Sequence, residues 1–136
     1  IYKNKLLEID EDFSLFLNNL KKNQKYLVSC EGAFTYLTND YGLKEAYLWP
    51  VNAESQITPK RMAKVINLVK NNDIPAVFCE STVSSESQLA VARETGAKFG
   101  GNFFVDSLSK KNGPASSYIE LLNHNLKLIK QAYSSK

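Results

Sequence analysis

Residues Lys25–Gly42 read KYLVSCEGAFTYLTNDYG. Tyr26 to Val28 form a short apolar run of the kind that makes a buried strand. Ser29 and Cys30 follow, then a carboxylate, Glu31, then a glycine, and the chain turns at once into an amphipathic segment. The pattern returns twice. PAVFCES places Glu80 after Val77, Phe78 and Cys79, and NFFVDS places Asp106 after Phe103, Phe104 and Val105. Three apolar runs that each end in a charge, with helix-forming residues after the first two and again towards the end of the chain, set the frame for everything else.

Working outward, strands and helices alternate. Residues 13–23 have Phe13, Phe16, Leu17 and Leu20 at helical spacing. A strand is expected over 26–30 and a helix over 33–41, closed by Gly42. A second strand covers 45–49 and is broken by Pro50. Thr58 caps the next helix with Pro59 at its first position, where a missing N–H costs nothing. Met62, Val65, Ile66 and Val69 form its apolar stripe. The third strand is 75–79. Ser84 or Ser85 caps a helix that turns Leu89 and Ala92 inward and stops at Gly96. In GAKFGG the glycines read as a weak turn signal, since they open no helix and make no phosphate loop. The fourth strand is then 102–105. A polar loop with Gly113–Pro114 as its turn leads to a last helix over 117–133, with Ile119, Leu122, Leu126 and Ile129 on one face. The fold class is α/β: a four-stranded parallel sheet flanked by helices.

The chain has 136 residues, 43% of them hydrophobic and 23% charged, with a formal net charge of +3. That is enough for one domain with a real core. No Lys/Arg-rich run or basic stripe with interleaved aromatics is present, which argues against nucleic acid as a partner. No apolar run has the length of a membrane span, and no secretory leader is visible. The first residue is Ile1, not Met. This points to a piece or a processed form of a longer chain, so a missing leader carries no information about compartment.

In an open parallel α/β sheet, ligands bind outside the carboxyl ends of the strands. Glu31, Glu80 and Asp106 should share that edge, where three carboxylates repel one another unless something positive lies among them. A divalent cation answers this, and oxygen donors suit manganese, magnesium or calcium. The plainer alternative is that each carboxylate serves the N-terminus of the helix after it. Glu80 fits that alternative best, because Ser81, Thr82 and Ser84 crowd the next turn. The single histidine, His124, belongs to the last helix and reads as a surface or partly packed side chain. Cys30 and Cys79 each precede a strand-end carboxylate, and two cysteines alone do not decide between a disulfide and free thiols. Trp49, with Tyr47 and Asn52, is expected on the loop after the second strand, at the same sheet edge. It serves either as packing or as part of an interface above the carboxylates.

The stretches VSCEGAFTYLTNDYGLKEAYLWPVNAESQITPKRM and VFCESTVSSESQLAVARETGAKFGGNFFVDSLS together resemble the C-terminal lobe of the solute-binding receptors of manganese and zinc ABC transporters. The resemblance is nearest to the cyanobacterial-type manganese receptor. It rests on Glu-Gly-Ala-Phe at a strand end, a Trp-Pro loop, a Thr-Pro helix start, Glu-Ser after the third strand and Asp-Ser after the fourth, in that order. It covers about Lys25 to Tyr133. Residues 1–24 then correspond to the end of the connection between lobes with a short helix, and 25–136 to the metal-binding lobe.

The resemblance implies a binding protein, not an enzyme. Its metal lies between two lobes, with two histidines from the N-terminal lobe, which this sequence lacks. Glu31 and Asp106 are the implied ligands here, with Glu80, Ser107 and Trp49 in supporting or structural positions. A carboxylate at Glu31, where zinc receptors tend to place histidine, favours Mn2+, with Zn2+ as the alternative. The resemblance also implies a Cys30–Cys79 disulfide, a location outside the cytoplasm, and an ABC permease as partner. A competing reading makes Cys30 and Cys79 a redox dithiol. It lacks the Cys-x-x-Cys spacing, and Glu31 and Glu80 would raise the thiol pKa values and slow attack.

Overall fold

In the computed structural model, residues 1–51, 53 and 57–134 are described. Four strands alternate with helices: α1 (Tyr2–Asn18), β1 (Tyr26–Glu31), α2 (Thr35–Asp40), β2 (Lys44–Trp49), α3 (Pro59–Asn71), β3 (Ala76–Glu80), α4 (Glu86–Thr95), β4 (Lys98–Phe103) and α5 (Tyr118–Ser134). A 3-10 turn, Lys22–Gln24, precedes β1. Of the segment expected as a helix over 13–23, only residues 13–18 are helical, as the last third of a longer helix that ends at Asn18.

Strand alternation divides the core in two. Leu27 and Phe78 face one side, where Phe13 and Leu17 of α1 and Leu126, Ile129, Ala132 and Tyr133 of α5 cover them. Val28, Cys30, Val77 and Cys79 face the other, under Val65 and Val69 of α3 and Val91 of α4. The result is a layer of parallel strands between two layers of helices, and β1 and β3 are buried along almost their whole length. The Tyr133 hydroxyl donates to the Tyr26 carbonyl, and Lys130 pairs with Asp12, so α5 is tied both to the strands and to α1.

The four parallel strands do not form one continuous sheet. Among the described residues β1 pairs with β2, and β3 pairs with β4, as two separate ladders. β1 lies beside β3 along the seam between them. At the carboxyl end of that seam the N–H groups of Cys30 and Glu31 donate to the Glu80 carboxylate, at 3.2 and 2.7 Å.

β4 also begins earlier than the residue types suggest, over 98–103 instead of 102–105. The glycines of GAKFGG lie within the strand. Val77 pairs with Phe99, but Cys79 pairs with Asn102, so β4 carries one extra residue, a β-bulge, across Gly100–Gly101. Gly101 has φ +119°, a conformation that side chains disfavour. At Gly100 the Phe78 ring lies where a side chain would be: an added Cβ would come within 2.2 Å of it. Glycine is poor in strands on average, yet these two are required by a bulge and a close approach.

Two helix faces differ in detail from their expected stripes. In α4, Leu89 is exposed and Gln88 and Val91 are buried. The helix is rolled so that the Gln88 Nε2 donates to the Phe78 carbonyl at 2.7 Å, which pairs a polar group inside the core. In α5, Leu121 is buried, and Ile119 and Leu122 are only half-buried. The cap of α3 is as expected: the Thr58 hydroxyl accepts the Arg61 N–H at 3.1 Å, with Pro59 next to it.

Candidate metal centre

The Glu-Gly-Ala-Phe stretch is a pinned turn. Glu31 ends β1 opposite Trp49. The Gly32 N–H donates to the Trp49 carbonyl at 2.9 Å, and the Ala33 N–H to the Glu31 carbonyl at 2.8 Å. A side chain at Gly32 would meet the Tyr47 ring at 3.0 Å, so glycine makes room for that ring. Glu45 then closes the turn. Its carboxylate accepts the Phe34 N–H at 2.9 Å and the Thr35 hydroxyl at 2.8 Å, an anion at the start of α2. Glu31 itself is 9% exposed.

Glu80 is the last residue of β3 and is 1% exposed. Its carboxylate serves β1 rather than the helix after it, which overturns the plainer reading of that residue. The start of α4 is served by Ser84, whose hydroxyl accepts the Glu86 N–H at 3.3 Å. Loss of hydration pushes the Glu80 carboxyl up to about 7. The N–H groups of Glu31 and Cys30 act in the opposite direction, and the negative charges of Glu31 and Asp106 push it further up.

Asp106 therefore lies within electrostatic reach of Glu80, on the same edge. It is not the residue after a strand, however. β4 ends at Phe103, and Asp106 comes three residues later, exposed, with Ser107 exposed beside it. Side chains of α5 hold the segment between. Asn125 brackets the Phe104 backbone, accepting its N–H at 3.0 Å and donating to its carbonyl at 2.8 Å. The His124 Nε2 lies 3.2 Å from the Asn102 carbonyl, and its ring meets Phe104 edge-on at 5.3 Å. His124 is thus a partly packed side chain. The Asn125 bracket went unread in the sequence, although an asparagine next to Leu126 on the inward side of a helix is a signal for it.

Cys30 and Cys79 form a disulfide, with Cα atoms 4.8 Å apart. Both are fully buried. Trp49 is 1% exposed and packs with Leu48, Val65 and Val69. The packing alternative describes it, and its Nε1 has no hydrogen-bond partner among the described residues. Trp49 and Tyr47 belong to β2 itself and not to the loop after it. Asn52 lies outside the described residues. Among the described residues, no three His, Cys, Asp or Glu side chains are grouped closely enough to hold a metal between them.

The fold is a layer of parallel strands between helices, with Glu31, Glu80 and Asp106 towards the carboxyl edge. The family model for the periplasmic zinc-uptake complex component A (ZnuA) matches residues 1–132, and the chain belongs to that family. It is 43% identical to the iron-binding protein YfeA of Yersinia pestis, over 97% of this chain and 42% of that protein. It is 28% identical to the manganese ABC transporter substrate-binding lipoprotein PsaA of Streptococcus pneumoniae, over 94% of this chain and 41% of that one. Among solved structures, a manganese-bound mutant of the periplasmic metal-binding protein of Candidatus Liberibacter asiaticus superposes with a TM-score of 0.88 at 36% identity. That match covers 96% of this chain and 48% of the other. The periplasmic zinc-binding protein TroA of Treponema pallidum, 22% identical with a TM-score of 0.84, shares the fold. The chain spans somewhat under half the length of the relatives it matches.

Proposed function

We propose that this chain forms the C-terminal, metal-binding lobe of a two-lobe receptor that collects Mn2+ outside the cytoplasm and delivers it to an ABC permease. Residues 1–24 would be the end of the connection between lobes, and 25–136 the lobe itself. Glu31 and Asp106 would be its two ligands. One observation carries the reading: Glu31 ends β1 with its N–H bonded to the carboxylate of Glu80 at the end of β3, and Asp106 follows the end of β4 by three residues, so all three belong to the carboxyl edge of the strands. Their negative charges are therefore gathered at the edge where this fold places ligands. Two carboxylates suit a hard or borderline divalent ion and leave coordination positions open. In this reading, two histidines from the other lobe fill part of the shell. The names of the relatives support metal binding as the shared activity.

Relatives are named for iron and manganese and the family description for zinc, so Zn2+ is the second reading and Fe2+ a third. A thiol-redox role has little support, because both sulfurs are fully buried in one disulfide. Calorimetric titration decides between shared and self-contained sites. The 136-residue chain alone should bind Mn2+ weakly, with little preference over Ca2+, and should bind it tightly once an N-terminal lobe is joined to it. Tight and selective binding by the chain alone would overturn the shared-site reading. Competition between Mn2+, Zn2+ and Fe2+ in the joined protein would assign the metal.

A further inference from the structure

We infer that Glu80 is a positioning residue, whose carboxylate reaches across the seam from β3 and fixes the backbone from which Glu31 presents its own carboxylate. This rests on the reading of Glu31 as a metal ligand. The geometry around the Glu31 peptide carries it. Its N–H donates to Glu80 Oε1 at 2.7 Å, and the preceding N–H, of Cys30, to Glu80 Oε2 at 3.2 Å. On the other side, the Glu31 carbonyl accepts from the Ser29 hydroxyl and from the Ala33 N–H, each at 2.8 Å. Both backbone groups of the residue are therefore held, and its backbone dihedrals with them.

Consecutive N–H groups in a regular strand point to opposite sides. Here two in succession converge on one carboxylate, so β1 leaves its regular pleat at the candidate ligand. The two oxygens of the Glu80 carboxylate serve these two convergent donors, one each. The disulfide brings Cys30 and Cys79 together but supplies no acceptor for these donors. Burying a carboxylate is costly unless its oxygens are engaged. Glu80 is almost fully enclosed and spends both oxygens on this one junction. Glutamine would turn an amide NH2 toward one of the two donors. Aspartate would fall one methylene short.

Two readouts on this chain test the inference: amide hydrogen exchange by NMR, and the Mn2+ concentration that half-broadens the Asp106 signal. In E80Q, the Cys30 and Glu31 amides should exchange at least about tenfold faster, while amides inside α3 and α5 keep their wild-type rates. The Mn2+ concentration needed should rise by at least about tenfold, the range seen when a partner that orients a ligand is removed. E80D should fall between E80Q and wild type in both. An unchanged Glu31 amide in E80Q would overturn the inference, as would faster exchange with an unchanged Mn2+ titration. Should E80Q fail to fold, E80D and the wild-type protein still decide: rapid exchange at Glu31 in the folded wild type would refute the clamp. An E31Q variant that titrates with Mn2+ like wild type would overturn the ligand reading instead, and the exchange rates would then judge the clamp by themselves.

Discussion

Phe78 stacks on Phe103 with ring centroids 4.6 Å apart, and the edge of its ring occupies the space above Gly100. A methyl group there has nowhere to go, because Phe78 is also enclosed by Tyr133. Gly100→Ala should cost about 1–3 kcal/mol, the usual range for an overpacked core, read as a lower urea midpoint. The three carboxylates show how far single residues can be read. Glu31 and Glu80 were legible as strand ends because each closes a short, mostly apolar run. What Glu80 binds was not legible, since a carboxylate's partner on another strand leaves no trace in local spacing. If Glu31 and Asp106 are the ligands, Glu31→Ala and Asp106→Ala should each abolish measurable Mn2+ binding by the chain. Ser107→Ala, next door but exposed, should leave it nearly unchanged. An equal loss in Ser107→Ala, which alters no charge, would mean that the two carboxylates are not the specific donors.

The elements follow the sequence where periodicity and capping agree, and depart from it where a third residue intervenes. α3 begins at Pro59 behind a Thr58 cap, and its buried residues, Val65 and Val69, lie on the expected stripe. Thr58→Ala should lower stability by about 1 kcal/mol through the lost bond to the Arg61 N–H, a fall that thermal melting resolves. β4 was the element hardest to read, because its two glycines weaken every local signal of a strand. Their reasons, Phe78 and the bulge, lie on another strand and in the pairing register. The same holds for α4, which is rolled by the bond from Gln88 to the Phe78 carbonyl. After β4, the path to Asp106 depends on a helix distant in sequence. Asn125→Leu removes both bonds to Phe104 and leaves a backbone donor and acceptor without partners. It should cost about 1–3 kcal/mol and speed amide exchange at Phe104, detectable by NMR. Unchanged exchange there would show that the segment holds its course without α5.

At the scale of the whole molecule, the class of fold was legible and the division of its sheet was not. Strand–helix alternation yields a parallel α/β layer whichever N–H groups meet at the middle. Only the fold reveals that a carboxylate and a disulfide link β1 to β3. The Cys30–Cys79 bridge closes a segment with a sequence separation of 49. On the chain-entropy model such a link contributes about 4 kcal/mol. The Cys30→Ser, Cys79→Ser double variant should lose stability on that scale in urea denaturation, and a loss below about 1 kcal/mol would assign the bridge a role other than holding the fold.

The divided sheet has a geometric consequence for the proposed site. Glu31 travels with the half made of β1 and β2, and Asp106 leaves from the half made of β3 and β4. The gap between their oxygens is therefore the gape of a caliper whose two arms are the half-sheets. The joint of that caliper is the junction at Cys30, Cys79 and Glu80. If Glu31 and Asp106 are the ligands, a stiff joint would hold that gape constant, and the joined two-lobe receptor would sort ions by radius as well as by chemistry, in keeping with the dependence of divalent-ion selectivity on cavity size and rigidity.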